Sequence, residues 1–257
     1  MNAGRILAIA SNGFRETLRD RVLYFLGLVA LFLGIARRWL PEVAAGTETK
    51  MFIDLGLGTI AGCSAIAAIF LGTGLINKEI EKRTVLAILS KPISRAEAIA
   101  GKHLGLWGVV GVLAIGTSVV YRLILGGDGD EFPLGNFAIV LAFLFLEMGV
   151  LIAAALMFGS FTNSLVAVML SLGIYLMGHS SQDLVALGRL SQNPQLESLA
   201  KNLYLIIPDL SRFNLRNEAV YGLLPPLSEL LSNAVYALTY TILFLAIAIL
   251  IFSRRQF

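Results

Sequence analysis

"LINKEIEKRTVLAILSKPISRAEAIAGKHLG", residues 75–105, packs Lys78, Glu79, Glu81, Lys82, Arg83, Lys91, Arg95, Glu97 and Lys102 between two strongly apolar segments. Its pattern is helical: Ile80, Val85, Leu86 and Leu89 recur at helix spacing with charges between them. Asn77 is read as the end of the preceding apolar helix. Pro92 ends the short charged helix, because it lacks the N–H that would continue the ladder and it biases Lys91 away from helix. Ser94 and Glu97 then stand as N-cap and N3 of a capping box that restarts a helix into the next apolar segment. A helix–break–helix of this length is far more than a hairpin between neighbouring helices needs. The structural alternative is a solvated basic loop.

Composition places the rest of the chain in lipid. Of 257 residues, 57% are hydrophobic and only 14% charged, and the mean hydropathy is +0.79. Soluble domains carry about 25% charged residues. Apolar runs long enough, or nearly so, for a hydrocarbon core of about 30 Å fall at 22–40, 53–76, 104–125, 136–159, 164–180 and 233–252. This predicts an all-α polytopic membrane protein with six transmembrane helices. The first run has a short core, Val22–Ala36, before Arg37, Arg38 and Trp39, which suit the interface. The fifth is also short. A cleavable signal peptide ending near "PEVAAG" is disfavoured by the long charged leader and by the two arginines after the apolar run. Cys63 is the only cysteine, so no intramolecular disulfide forms.

Six spans put both termini on one side, together with 77–103 and 160–163. That side gathers Arg5, Arg15, Arg19, Arg21, Lys78, Lys82, Arg83, Lys91, Arg95, Lys102, Arg254 and Arg255. The other basic residues fall on the far side, half of them in the long segment 181–232, where charges weigh less. Both termini and the 77–103 loop are therefore expected in the cytoplasm, with the chain in a plasma membrane such as the bacterial inner membrane. The net charge of +3 follows from topology and gives no reason to expect nucleic acid.

The chain reads as a single transmembrane domain, 1–257. Its leader, 1–21, spaces Ile6, Ile9 or Ala10, Phe14 and Leu18 as an amphipathic helix lying in the membrane interface, in contact with lipid. The extracytoplasmic segment, 181–232, mixes leucines at helical spacing with Pro194, Pro208, Pro225 and Pro226. Short helices dipping partway into the outer half of the membrane fit this pattern, provided that they pack on protein.

Polar residues within the spans are few. Glu147 lies mid-span, where an ionised carboxylate costs about 3 kcal/mol or more, so it is expected neutral or bonded to a hydroxyl or backbone carbonyl. Ser64, Thr73, Ser171 and Tyr175 are the scattered polar groups that, with Glu147, form the candidate pathway. His179 reads as an interfacial histidine. With His103 the only other one, no histidine-based metal cluster is expected. Gly58-x-x-x-Gly62 and Gly101-x-x-x-Gly105 permit close helix approach.

The string "NKEIEKRTVLAILSKPISRAEAIAGK" resembles the cytoplasmic loop of ABC transporter permeases of the type-2 exporter family, whose pattern is E-x-x-x-x-T-x-x-x-L-L-x-x-P-[IV]-S-R-x-x-x-x-x-G-K. Glu79, Thr84, Leu89, Pro92, Ile93, Ser94, Arg95, Gly101 and Lys102 match it. Ile88 stands where the first paired leucine is found, and the glycine common before Thr84 is missing. "YLIIPDLSRFNL", 204–215, resembles that family's outer segment, and the layout is similar to its small six-span permeases, such as that of nitrous oxide reductase maturation. The resemblance implies a permease forming the translocation pathway as a homodimer, or with a closely related permease, joined to two copies of a separate ABC ATPase subunit. The loop is then a cytoplasmic coupling helix between spans 2 and 3, with Lys78, Glu79, Glu81, Lys82, Arg83, Thr84, Pro92 and Arg95 as the ATPase-coupling residues. Outer half-membrane helices between spans 5 and 6 then cap the exit. ATP and Mg then belong to the ATPase partner, since no G-x-x-x-x-G-K-[ST] occurs in this chain to bind nucleotide, and the resemblance implies no cofactor bound by this chain.

Other classes are weaker. A secondary transporter usually shows intramembrane ionisable relays and inverted repeats, and neither is evident; a membrane scaffold is the remaining non-enzymatic reading. Gly-x-Ser triplets at 62–64, 116–118 and 178–180 suggest an intramembrane hydrolase. Its nucleophile needs a histidine base within reach, and neither His103 nor His179 is well placed in sequence.

Overall fold

The structure, a computed structural model, describes residues 2–19, 22–43, 46–81, 94–126 and 132–254, excluding the side chains of 19, 22–24, 43 and 76–81. Ten α-helices make up the described chain, with no strand among these residues. They are α1 (Ala3–Arg19), α2 (Val22–Val43), α3 (Glu48–Glu81), α4 (Arg95–Leu125), α5 (Leu134–Gly159), α6 (Ser164–His179), α7 (Ser181–Leu190), α8 (Pro194–Ile206), α9 (Arg216–Val220) and α10 (Leu227–Arg254). A 3-10 turn, Leu210–Phe213, precedes α9.

Helix α5 is the central post, packed by α3, α4, α6 and α10. Val150–Leu156 are buried on every side, which is why this stretch is apolar all round and not amphipathic. Close seating needs small residues. A Cβ on Gly72 of α3 would stand 2.6 Å from the Ala155 Cβ. On α4, Trp107 donates Nε1–H to the Phe145 carbonyl at 2.7 Å and stacks on the Phe145 ring. His103 Nε2 lies 3.0 Å from the Gly149 carbonyl; that oxygen only accepts, so the ring donates from Nε2.

Four helices are long and apolar enough to cross a membrane among the described residues: Glu48–Leu75, Arg95–Leu125, Leu134–Gly159 and Leu227–Arg254. The pair α6 and α7, bent by 65°, makes a fifth if it counts as one span. The chain is thus a multi-pass membrane protein of the expected all-α class. The first expected span, 22–40, is helical as α2, with Arg37, Arg38 and Pro41 in its second half, and is not among these membrane-crossing helices. Helix α3 does not stop at Asn77 but continues through Glu81, because Lys-Glu-Ile-Glu is helix-forming. The expected coupling helix beyond Glu81, over 82–93, lies outside the described residues.

Two clusters of contacts sort the helix ends. At the loop end, Ser94 and Glu97 form the capping box read from the sequence: Ser94 Oγ accepts from the Glu97 N–H and Glu97 Oε2 from the Ser94 N–H. The same carboxylate accepts the Asn2 N–H at 2.7 Å and lies 3.9 Å from Arg5. Arg95 donates to the Phe252 and Ser253 carbonyls, both at 2.6 Å, capping the end of α10 as cations at helix C-termini do. The starts of α1 and α4 and the end of α10 therefore meet. Helix α1 lies along a glycine stripe of α4: added Cβ atoms would stand 2.8 Å from Ile9 at Gly101 and 2.7 Å from the Ala10 carbonyl at Gly105.

At the far end, α9 touches the starts of α3 and α5: Lys50 faces the Tyr221 ring and Asn136 donates to the Ala219 carbonyl. Helix α6 has 16 residues, about 24 Å at 1.5 Å per residue. It starts beside the end of α5 and stops level with Glu147. The 3-10 turn and α9 fill the space that α6 leaves along the first half of α5.

Candidate functional site

That early stop builds the site. Glu147, 3% exposed, projects from α5 to the point where α6 ends, and His179 is the last residue of α6. His179 Nε2 lies 2.8 Å from Glu147 Oε1. The partner expected for Glu147 was a hydroxyl or a carbonyl; it is a histidine from the neighbouring helix. Whichever group carries it, one proton lies between the two atoms, and the bond offsets much of the cost of burying a carboxylate. Tyr175 stands one turn before His179 on the same face, its ring edge-on at 4.8 Å.

A cavity of about 20 Å³ opens beside the pair, between α3, α5, α6 and the residues before α9. It has room for about one water. Leu57, Ile60 and Leu144 wall it, and Glu147, Tyr175, His179, Asn214 and Arg216 supply polar groups. Arg216 Nε donates to Asn214 Oδ1 at 2.8 Å, and its guanidinium passes close over Gly58, where a Cβ would stand 3.1 Å from Nη1. An acid, a histidine, a phenol, an amide and a guanidinium thus converge at membrane depth. Such a set has the chemistry to bind and orient a polar group or to move a proton.

Above the cavity a second acid organises the far-end segment. Asp209 is 1% exposed. Oδ1 accepts from Ser181 Oγ at 2.9 Å, Ser211 Oγ at 2.5 Å and the Ser211 N–H at 3.2 Å. Oδ2 accepts from Gln182 at 3.2 Å, Arg212 at 3.3 Å and Tyr204 at 3.4 Å. The Asp209 N–H donates to the Tyr236 hydroxyl of α10 at 2.9 Å. Burial pushes the Asp209 carboxyl up, but the donors from Ser211, Gln182, Ser181 and Arg212 outweigh it and hold the group below the usual carboxylate range. The carboxylate so joins α7, α8 and the 3-10 turn, and the Asp209 N–H adds α10.

Of the sequence-predicted pathway residues, Glu147 and Tyr175 meet at the cavity. Ser64, Thr73 and Ser171 are buried elsewhere; the Thr73 and Ser171 hydroxyls donate to carbonyls of their own helices, Ile69 and Ala167. Among the coupling candidates, Lys78, Glu79 and Glu81 extend α3 with side chains outside the described residues, as are Lys82, Arg83, Thr84 and Pro92 entirely. Arg95 is at the α10 cap. Among the described residues no three His, Cys, Asp or Glu side chains gather as a metal site requires. Sequence reasoning missed the roles of His179, Arg216 and Asp209. A signal existed for the first: an intramembrane acid calls for a named partner, and His179 shares a helical face with Tyr175.

Compared with known families, the model described as ABC-2 family transporter protein matches residues 7–257. No curated protein matches the sequence significantly.

Proposed function

Because the chain belongs to the ABC-2 transporter family, we propose that it is the permease subunit of an ATP-driven exporter, forming the translocation pathway as a homodimer, with two copies of a separate ABC ATPase that hold ATP and Mg. The observation that carries this reading is the family match over 7–257, which takes in the loop, the cavity and the far-end segment. Six spans, α2 to α5, the bent pair of α6 and α7, and α10, then cross the membrane, with the loop end in the cytoplasm. The meeting of the starts of α1 and α4 with the end of α10 supports this parity. The continuity of α3 to Glu81 supports the coupling role: a push on Lys78, Glu79 or Glu81 would travel along one unbroken helix to the cavity wall at Leu57 and Ile60. Substrate leaves past Glu147, His179, Tyr175 and Arg216, beneath the far-end segment.

The test is co-purification with the cognate ATPase. Reversing Glu79 and Glu81 to lysine is expected to release the ATPase in detergent while the permease still inserts and dimerises. Retained ATPase with unchanged stimulation of its hydrolysis would sink the coupling role. One observation favours a second reading: a buried Glu147–His179 pair is a feature of proton-coupled carriers. Transport by reconstituted permease that is driven by a proton gradient without ATPase would select it.

A further inference from the structure

Helices α7 and α8 form a hairpin whose facing sides part into a groove. They meet closely at Gly188, where an added Cβ would stand 3.0 Å from the Ala200 Cβ. Away from that seam the groove opens to about 510 Å³, within the range of ligand pockets. Helix α7 lines it with Gln182, Val185, Ala186 and Arg189, one helical face. Helix α8 adds Lys201, Tyr204 and Leu205. The Asp209 network closes its floor, where Gln182 and Tyr204 both reach Oδ2.

The charges lining this groove, Arg189 and Lys201, are both basic. Glu197, one turn earlier on α8, sits 2.7 Å from Lys201 and is also held down by the Arg189 charge, so two cations face one carboxylate and the groove keeps a net positive charge. Asp209 is satisfied by Arg212 and its hydroxyl and amide donors. The lining Leu205 is 74% exposed, its chain neighbour Ile206 and Leu190, next to Arg189, are 73% and 78% exposed, and α8 buries no residue at all. Apolar surface of this kind is stable against acyl chains, not water.

We propose that this groove holds an anionic phospholipid of the bilayer. Its phosphate lies between Arg189 and Lys201, and its upper acyl chain runs along Val185, Ala186 and Leu205. The paired cations select an anionic head over a zwitterionic one, and the apolar wall with the exposed apolar residues beside it selects a lipid over a soluble anion. The site is independent of ATP coupling, so its failure leaves the permease reading untouched.

The experiment uses the full-length protein in vesicles of phosphatidylcholine and phosphatidylglycerol in equal parts, released into mild detergent and weighed by native mass spectrometry. Phosphatidylglycerol is expected to be retained over phosphatidylcholine. Arg189→Ala with Lys201→Ala should lower that retention roughly twenty-five-fold, each surface cation being worth about fivefold. Arg189→Lys with Lys201→Arg should keep it. Ala186→Trp, which fills the groove, should remove it with elution unchanged; if that variant does not fold, the charge variants decide. Equal retention of the two lipids, undiminished phosphatidylglycerol in the double alanine variant, or its displacement by millimolar inorganic phosphate would each overturn the proposal.

Discussion

His179 Nε2 stands 2.8 Å from Glu147 Oε1, tying the last residue of a 16-residue helix to the middle of a 26-residue one. The bond marks the depth at which α6 gives way to the far-end segment, so it links the membrane-embedded bundle to the elements above the cavity.

Glutamine at 147 keeps an acceptor and a donor for either histidine tautomer, so Glu147→Gln is expected to leave thermal unfolding of the purified protein nearly unchanged. Glu147→Leu and His179→Leu each remove the bond. A double-mutant cycle on these two changes should give a coupling of about 1 kcal/mol. Additive single effects would show that the pair contributes nothing to stability.

Helix α1 depends on the glycine stripe of α4. Gly105→Val would drive its Cβ into the Ala10 carbonyl, which is backbone and cannot step aside. Its expected cost is about 1–3 kcal/mol, with faster tryptic cleavage at Arg15. Gly108→Ala meets only the Phe14 ring, at 3.3 Å, and should be tolerated. Equal protease resistance in both variants would refute the seating of α1.

Asp209 has its pKa lowered by folding, with its donors outweighing burial. Such a group contributes stability fully above its unfolded pKa of about 3.9, and the contribution is lost as pH falls through the folded value. Hydrogen exchange over 181–215, corrected for intrinsic rates, should therefore stay flat from pH 7 to about 4 and rise below it. Asp209→Asn should raise exchange at neutral pH and abolish the acid step. An acid step that survives in the asparagine variant would assign it to another group.

Orientation is checked by labelling from outside intact cells in a Cys63→Ala background. Asn202→Cys, exposed on α8, should react with an impermeant maleimide; Ser11→Cys, exposed on α1, should react only after lysis. The reverse pattern would overturn the charge-based topology.

The amino-acid sequence by itself determined what is local. The apolar runs, the capping box of Ser94 and Glu97, the amphipathic α1 and the spacing of Gly101 and Gly105 were all legible, because each depends on neighbours within one or two helical turns or on the length of a single run. Even the pairing of α1 with α4 was half-written in that glycine spacing.

Only the tertiary structure decided what meets what. Glu147 and His179 are 32 residues apart, and their bond exists because α6 stops at mid-depth beside α5, a consequence of two helix lengths and one rotation that periodicity does not encode. Asp209 follows Pro208 in a largely apolar stretch; it becomes a hub because α7 and α8 fold back to it with donors from positions up to 28 residues away, while its own N–H reaches the Tyr236 hydroxyl of α10. Helix α3 runs past Asn77 through Glu81 because a polar residue only marks a possible boundary, whereas a helix ends where its hydrogen-bond ladder is broken. Sequence specifies each helix through its own backbone and face; depth, register and the partners of buried charge are set when those helices pack against one another.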